Sequence, residues 1–144
     1  MSNFELHSRL RDDCHQLGRL SACHLLLHRN SAVPWFILVP ETDVIELFEL
    51  ESSLRQRVSR ECDAVARFLR SEMGARKTNV AAIGNLVPQL HIHVVGRSPD
   101  DPCWPAPVWG NLPHGGGYSN ERLAQLQSRL VSSLDLRAEP GAGE

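Results

Sequence analysis

The sequence predicts a single α+β domain, and three observations carry that prediction. Two short apolar runs flank a polar bend, a long stretch repeats apolar residues every three or four positions, and two more strand-like segments follow it. A helix set between two strand pairs suggests an α+β sheet. At 144 residues the chain can bury one core but not two sizeable ones. The domain is expected over residues 1–136, with a disordered tail over residues 137–144, "RAEPGAGE".

The first strand pair is read at "ACHLLLHRN" (residues 22–30) and "PWFILVPE" (residues 34–41), an antiparallel hairpin around "RNSAV". After Pro40, Thr42 or Asp43 is placed to cap a helix with an apolar stripe of Ile45, Phe48, Leu54, Val58, Cys62, Val65 and Leu69. Arg55, Arg60, Asp63, Arg67 and Arg70 lie opposite that stripe, and Gly74 supplies the stop. A third strand is expected over residues 79–85, with Gly84-Asn85 as turn residues, and a fourth over residues 85–97. Residues 98–120, rich in proline and glycine, read as a long extended loop of the kind that often serves function. Leu123, Leu126, Leu130 and Leu134 then recur at helical spacing behind a Ser119/Asn120 cap.

Charge and composition exclude several classes. Fifteen Lys and Arg face seventeen Asp and Glu, for a net charge of −2, and no basic stripe forms, so a polymeric nucleic acid is not the expected partner. No apolar run approaches the ~20 residues of a membrane span, and acidic residues stand where a signal peptide would be apolar. A cytoplasmic location is expected, without membrane association. Cys14, Cys23, Cys62 and Cys103 form no close C-x-x-C pair and are expected to be free thiols.

The chemistry concentrates in "NLVPQLHIHVVGR", residues 85–97. Strand alternation sends Leu90, Ile92 and Val94 to one side and Gln89, His91 and His93 to the other. Burying two imidazoles and an amide without partners would cost about 1–3 kcal/mol each, so that face should line a cleft. Two same-face histidines could also begin a metal site, but His114, Cys103, His28 and His24 stand in no recognisable ligand spacing. The remaining option is nucleophilic catalysis, in which an imidazole attacks phosphorus and later surrenders it to water.

"QLHIHVVGR" resembles the motif of the histidine triad family of nucleotide hydrolases and transferases, in which three histidines alternate with apolar residues. Gln89 stands at the first histidine, and His91 and His93 match the second and third. "LLLHRNSAVPWFILVPE" resembles the family's strand pair, and "DPCWPAPVWG" a bacterial branch that also carries glutamine at the first histidine. The resemblance implies an antiparallel meander of about five strands with one long helix and a C-terminal helix, assembled as a homodimer. It also implies a small-molecule nucleotide substrate and a covalent nucleotidyl-histidine intermediate, with no cofactor or metal.

By position, His91 would be the nucleophile, and His93 would support developing charge on phosphate. Gln89 could position phosphate or a catalytic side chain but, as an amide, could not act as an acid. Asn85 falls where the family often has a glutamine and could donate to phosphate, while Leu86 replaces a hydroxyl residue. His28 or Asn30 matches the position that holds ribose hydroxyls, and Trp35-Phe36 replace a frequent glycine and histidine. Trp104 and Trp109 could cover the site or pack on a second subunit. The departures leave two alternatives: a nucleotide-binding or regulatory module with little turnover, and a metal-dependent hydrolase using His91 and His93 as ligands.

Overall fold

The structure, a computed structural model, describes residues 3–140. Its elements are α1 (Ser8–Asp13), β1 (Cys14–Arg19), β2 (Cys23–His28), β3 (Trp35–Pro40), α2 (Ser52–Met73), β4 (Lys77–Ala81), β5 (Ile92–Arg97), α3 (Asn120–Leu134) and β6 (Arg137–Ala138). The strands form one sheet in the order β4-β5-β3-β2-β1-β6, and every neighbouring pair is antiparallel. Six strands thus stand where about five were expected. The hairpin forms as read, with Leu25 opposite Leu38 and Leu27 opposite Phe36.

The central strands β2, β3 and β5 divide their side chains between two covers. On one face Leu25, Leu27, Phe36, Leu38, Ile92 and Val94 pack against Val65, Phe68 and Leu69 of α2 and Leu123, Leu126 and Leu130 of α3. Phe36 meets Phe68 edge to face at 6.1 Å. On the other face Leu26, Trp35, Ile37, Val39 and Val95 are covered by Leu6 and Leu10 from the N-terminus and by Val108 and Trp109 from the proline-rich loop. Helices close the first face, and largely irregular chain closes the second.

Four expectations are corrected. Helix α2 begins at Ser52: Thr42 Oγ1 accepts from the Val44 amide in a turn, and Glu51 is the cap, accepting from the Ser53 and Leu54 amides at 2.8 and 3.2 Å. Ile45 and Phe48 therefore leave the apolar stripe and are 53 and 77 % exposed. The third strand ends at Ala81, and the fourth starts only at Ile92, where its ladder to β3 begins opposite Leu38. Helix α1 and strand β1 went unread, although Leu6, Leu10 and Cys14 recur every fourth position and are all buried.

The fourth correction concerns the tail, where Arg137 and Ala138 pair with β1 as a short edge strand. Gly18 permits this close approach, since a β-carbon there would overlap the Arg137 carbonyl oxygen. Gln127 Nε2 adds bonds to the carbonyls of Leu17 and Glu139, at 2.7 and 3.0 Å. Residues 141–144 of the expected tail lie outside the described residues. At Gly74 the backbone is left-handed, with φ 71°, and ends α2 as read. Among the described residues no helix is long and apolar enough to cross a membrane.

Candidate active site

His93 lies within β5, and His91 just before it, on the sheet face not covered by α2. Alternation holds from Leu90 onward: Leu90, Ile92 and Val94 enter the helix-side core, while the imidazoles line a cleft of about 410 Å³. His91 and His93 are 6 and 7 % exposed, with ring centroids 4.9 Å apart. Trp35, His28, Trp109 and Asn85 share the cleft walls.

Hydrogen-bond partners fix which nitrogen carries each proton. His91 Nδ1 lies 2.7 Å from the Gln89 carbonyl oxygen, which only accepts, so Nδ1 holds the hydrogen and neutral His91 keeps a bare lone pair on Nε2. The Trp35 indole only donates, and its Nε1 lies 3.0 Å from His93 Nδ1, so neutral His93 carries its hydrogen on Nε2. The Asn30 amide donates to His28 Nδ1 at 3.0 Å, which likewise leaves His28 with an Nε2 donor. The cleft thus presents one imidazole lone pair and two imidazole donors.

The electrostatics disfavour the charged form of two of those rings. Burial, and then the neighbouring His91 and His28, lower the His93 pKa from 6.5 to about 3. Burial also lowers that of His28, against an opposing pull from Asp13. His28 stacks on Trp35 at 4.2 Å with 13° between the rings, and Trp109 meets His93 edge to face at 5.2 Å. Trp35 both walls the cleft and orients His93.

Arg97, at the end of β5, fastens the loop that carries Trp109. Its side chain is 1 % exposed and forks onto Asp101, with Nε to Oδ2 at 2.7 Å and Nη2 to Oδ1 at 3.2 Å. Arg97 also donates to Asn79 Oδ1 and the Ala106 carbonyl, and sits 5.7 Å from the Trp104 ring. This hydrogen bonding holds the Asp101 carboxyl below its ordinary pKa. The two loop tryptophans therefore differ: Trp109 faces the histidines, while Trp104 lies over Arg97.

Not every candidate residue reaches the cleft. His28, Asn85, His91 and His93 line it, but Gln89 and Asn30 do not. Asn30 Nδ2 donates to the Pro113 carbonyl, while its Oδ1 accepts from Ala32 and Gly115, bracing the β2–β3 turn against the end of the proline-rich loop. Gly115 is required there, since a β-carbon would lie 2.5 Å from the Ala32 nitrogen. Gln89 precedes the strand, so alternation does not reach it, and its side chain bonds the backbone of Glu5 and His7. His114, in the same loop, is exposed and stands outside the cleft walls.

The sequence reading missed Arg9, Leu10, Asp13 and Cys14, which line the cleft from α1 and the start of β1. Arg9 supplies the only Lys or Arg among the described lining residues. All four cysteines are unpaired, and burial raises the thiol pKa of Cys14 and Cys62 to about 12. Among the described residues no group of three or more His, Cys, Asp or Glu side chains is arranged to hold a metal ion.

Comparison with known proteins places the chain in a family. The model of the HIT domain family matches residues 9–100, more than half of the chain. A histidine triad protein from Marinobacter aquaeolei VT8 is 41% identical, with a TM-score of 0.85 over 92% of this chain and 96% of its own. Others from Sinorhizobium meliloti 1021 and Bradyrhizobium japonicum are 37 and 32% identical. Their TM-scores are 0.86 and 0.85, over 93 and 91% of this chain and 99 and 98% of theirs. No curated protein matches. The chain belongs to the histidine triad family.

Proposed function

We propose that the protein hydrolyses or transfers nucleotides through a covalent nucleotidyl intermediate on His91, acting on a nucleoside phosphate or a dinucleoside polyphosphate. The observation that carries this reading is the hydrogen bond from His91 Nδ1 to the Gln89 carbonyl, which leaves Nε2 as a nucleophile in a cleft beside an imidazole donor. His91 Nε2 attacks the α-phosphorus, the P–N bond forms, and the bond to the leaving oxygen breaks with its electron pair. His93 Nε2–H donates to a phosphate oxygen as charge develops. Water then attacks phosphorus, the P–N bond breaks, and the nucleoside monophosphate leaves with His91 restored.

The surrounding residues take matching parts. His28 reaches toward a ribose hydroxyl, Asn85 donates to phosphate, and Arg9 offers the phosphate chain its cation. Trp35 and Trp109 supply apolar wall. A homodimer in the cytoplasm is part of the same reading, supported by the family relationship and by four unpaired cysteines.

Two observations favour a binding module with little turnover: Gln89 points away from the cleft, and Leu86, 74 % exposed, stands where the family often has a hydroxyl. A panel of nucleoside mono-, di- and triphosphates and dinucleoside polyphosphates separates the two readings. Turnover that His91→Ala abolishes supports the enzyme. Calorimetric binding without turnover by the wild type supports the module.

A further inference from the structure

Gln89 stands at a histidine position of the motif, yet both ends of its amide are engaged outside the cleft. Oε1 accepts from the His7 backbone amide at 2.9 Å, and Nε2 donates to the Glu5 carbonyl at 2.9 Å. These two backbone groups flank Leu6, so the side chain acts as a surrogate peptide group, pairing as a parallel strand would on either side of one residue. An imidazole cannot copy this arrangement, because its two nitrogens do not offer a donor and an acceptor along one edge as a carboxamide does.

The segment so held is more than a loose terminus. Leu6 and Leu10 are 9 and 4 % exposed in the cleft-side core, and Phe4 stacks on His24 at 4.8 Å. His7 caps α1 by accepting from the Arg9 amide, and α1 then delivers Arg9, Leu10 and Asp13 to the cleft wall. The same Gln89 offers its own carbonyl to His91. One residue therefore joins the N-terminal arm to the loop that carries the nucleophile.

We propose that Gln89 is a positioning residue that fastens residues 4–13 as a wall of the cleft, so that it governs how tightly the nucleotide is held and not the rate of the chemical step. The inference rests on the nucleotide-cleft reading above. It also explains why an amide serves at this position: it need not titrate, and it must pair with a backbone.

The test compares wild type, Gln89→Ala, Gln89→Glu and Leu6→Ala, using whichever nucleotide of the panel wild type turns over best. Gln89→Ala should raise KM about tenfold, as expected for two lost hydrogen bonds, and leave kcat within about twofold. Gln89→Glu, which keeps the acceptor but loses the donor to Glu5, should behave like Gln89→Ala, and the pH profile of kcat should be unchanged in both. Amide hydrogen exchange over residues 5–13 should speed up in the Gln89 variants and in Leu6→Ala. A loss in kcat at constant KM would place Gln89 in the chemistry and overturn the proposal, as would unchanged KM and unchanged exchange. If wild type turns over no nucleotide, the functional reading fails instead, and exchange over residues 5–13 alone decides the fastening of the arm.

Discussion

The two faces of the β2-β3-β5 sheet are closed by different means. One is sealed by α2 and α3, whose leucines, valines and Phe68 mesh with alternate strand residues, and it holds no chemistry. The other is sealed by an N-terminal arm and a proline-rich loop held by side-chain-to-backbone bonds from Gln89, Asn30 and Arg97, and it holds both catalytic histidine candidates. Regular packing supplies rigidity, and irregular cover supplies a cavity that the same strands can line. The contrast implies that changes on the helix face should act on stability, while changes on the cleft face should act on turnover beyond their effect on stability.

Phe68→Ala on the helix face should cost about 3–5 kcal/mol in denaturant unfolding while leaving kcat of the folded fraction unchanged. A large fall in kcat at full folding would break the separation. Arg97→Met on the other face should cost about 3 kcal/mol by leaving the nearly buried Asp101 carboxylate unpaired, and the double variant with Asp101→Asn should recover part of that loss. Unlike Phe68→Ala, it should also lower turnover, because Trp109 rides on the loop that Arg97 secures.

Acid should separate the faces as well. His93 is held uncharged in the folded state, with a pKa near 3 against 6.5 unfolded. Between those values the unfolded chain binds more protons, so stability rises with pH through that window and is lost as pH falls through it, by up to about 1.4 kcal/mol per pH unit for this group. His28 and His15 are shifted in the same direction. In His93→Gln the slope in equilibrium unfolding between pH 6 and pH 4 should flatten; an unchanged slope would assign the acid sensitivity elsewhere. Trp35→Phe has the smallest effect on folding, about 1–2 kcal/mol, since an aromatic ring remains while the bond to His93 and part of the buried indole are lost. It should nonetheless slow turnover severalfold by freeing the His93 ring, and equal turnover would mean that this bond does not orient the site.

The same contrast explains what the sequence made legible. The hairpin, α2 beyond its first turns, α3 and the alternation of Leu90 to Val94 follow from periodicity, because a residue on a regular element meets its neighbours at fixed intervals. His93 was found for that reason, and His91 because the alternation already holds just ahead of β5. Gln89 was assigned to the cleft by the same rule and Asn30 by resemblance to the family's ribose position; both lie outside it, since both sit where regular structure has ended. Arg9 and Asp13 were missed because α1 is a single short helix, recognisable only from Leu6, Leu10 and Cys14 in retrospect. Arg97 ends the strand that carries His93, and its role depends on Asp101 and Ala106 arriving through a loop that no periodicity describes.

The most direct measurement is a rapid quench of wild type and His91→Ala with a labelled nucleotide, followed by mass analysis of the protein. Wild type should carry one nucleoside monophosphate on the peptide containing His91, formed and lost at rates that support turnover, and His91→Ala should carry none. Equal labelling of the two proteins, or undiminished turnover by His91→Ala, would show that His91 is not the nucleophile.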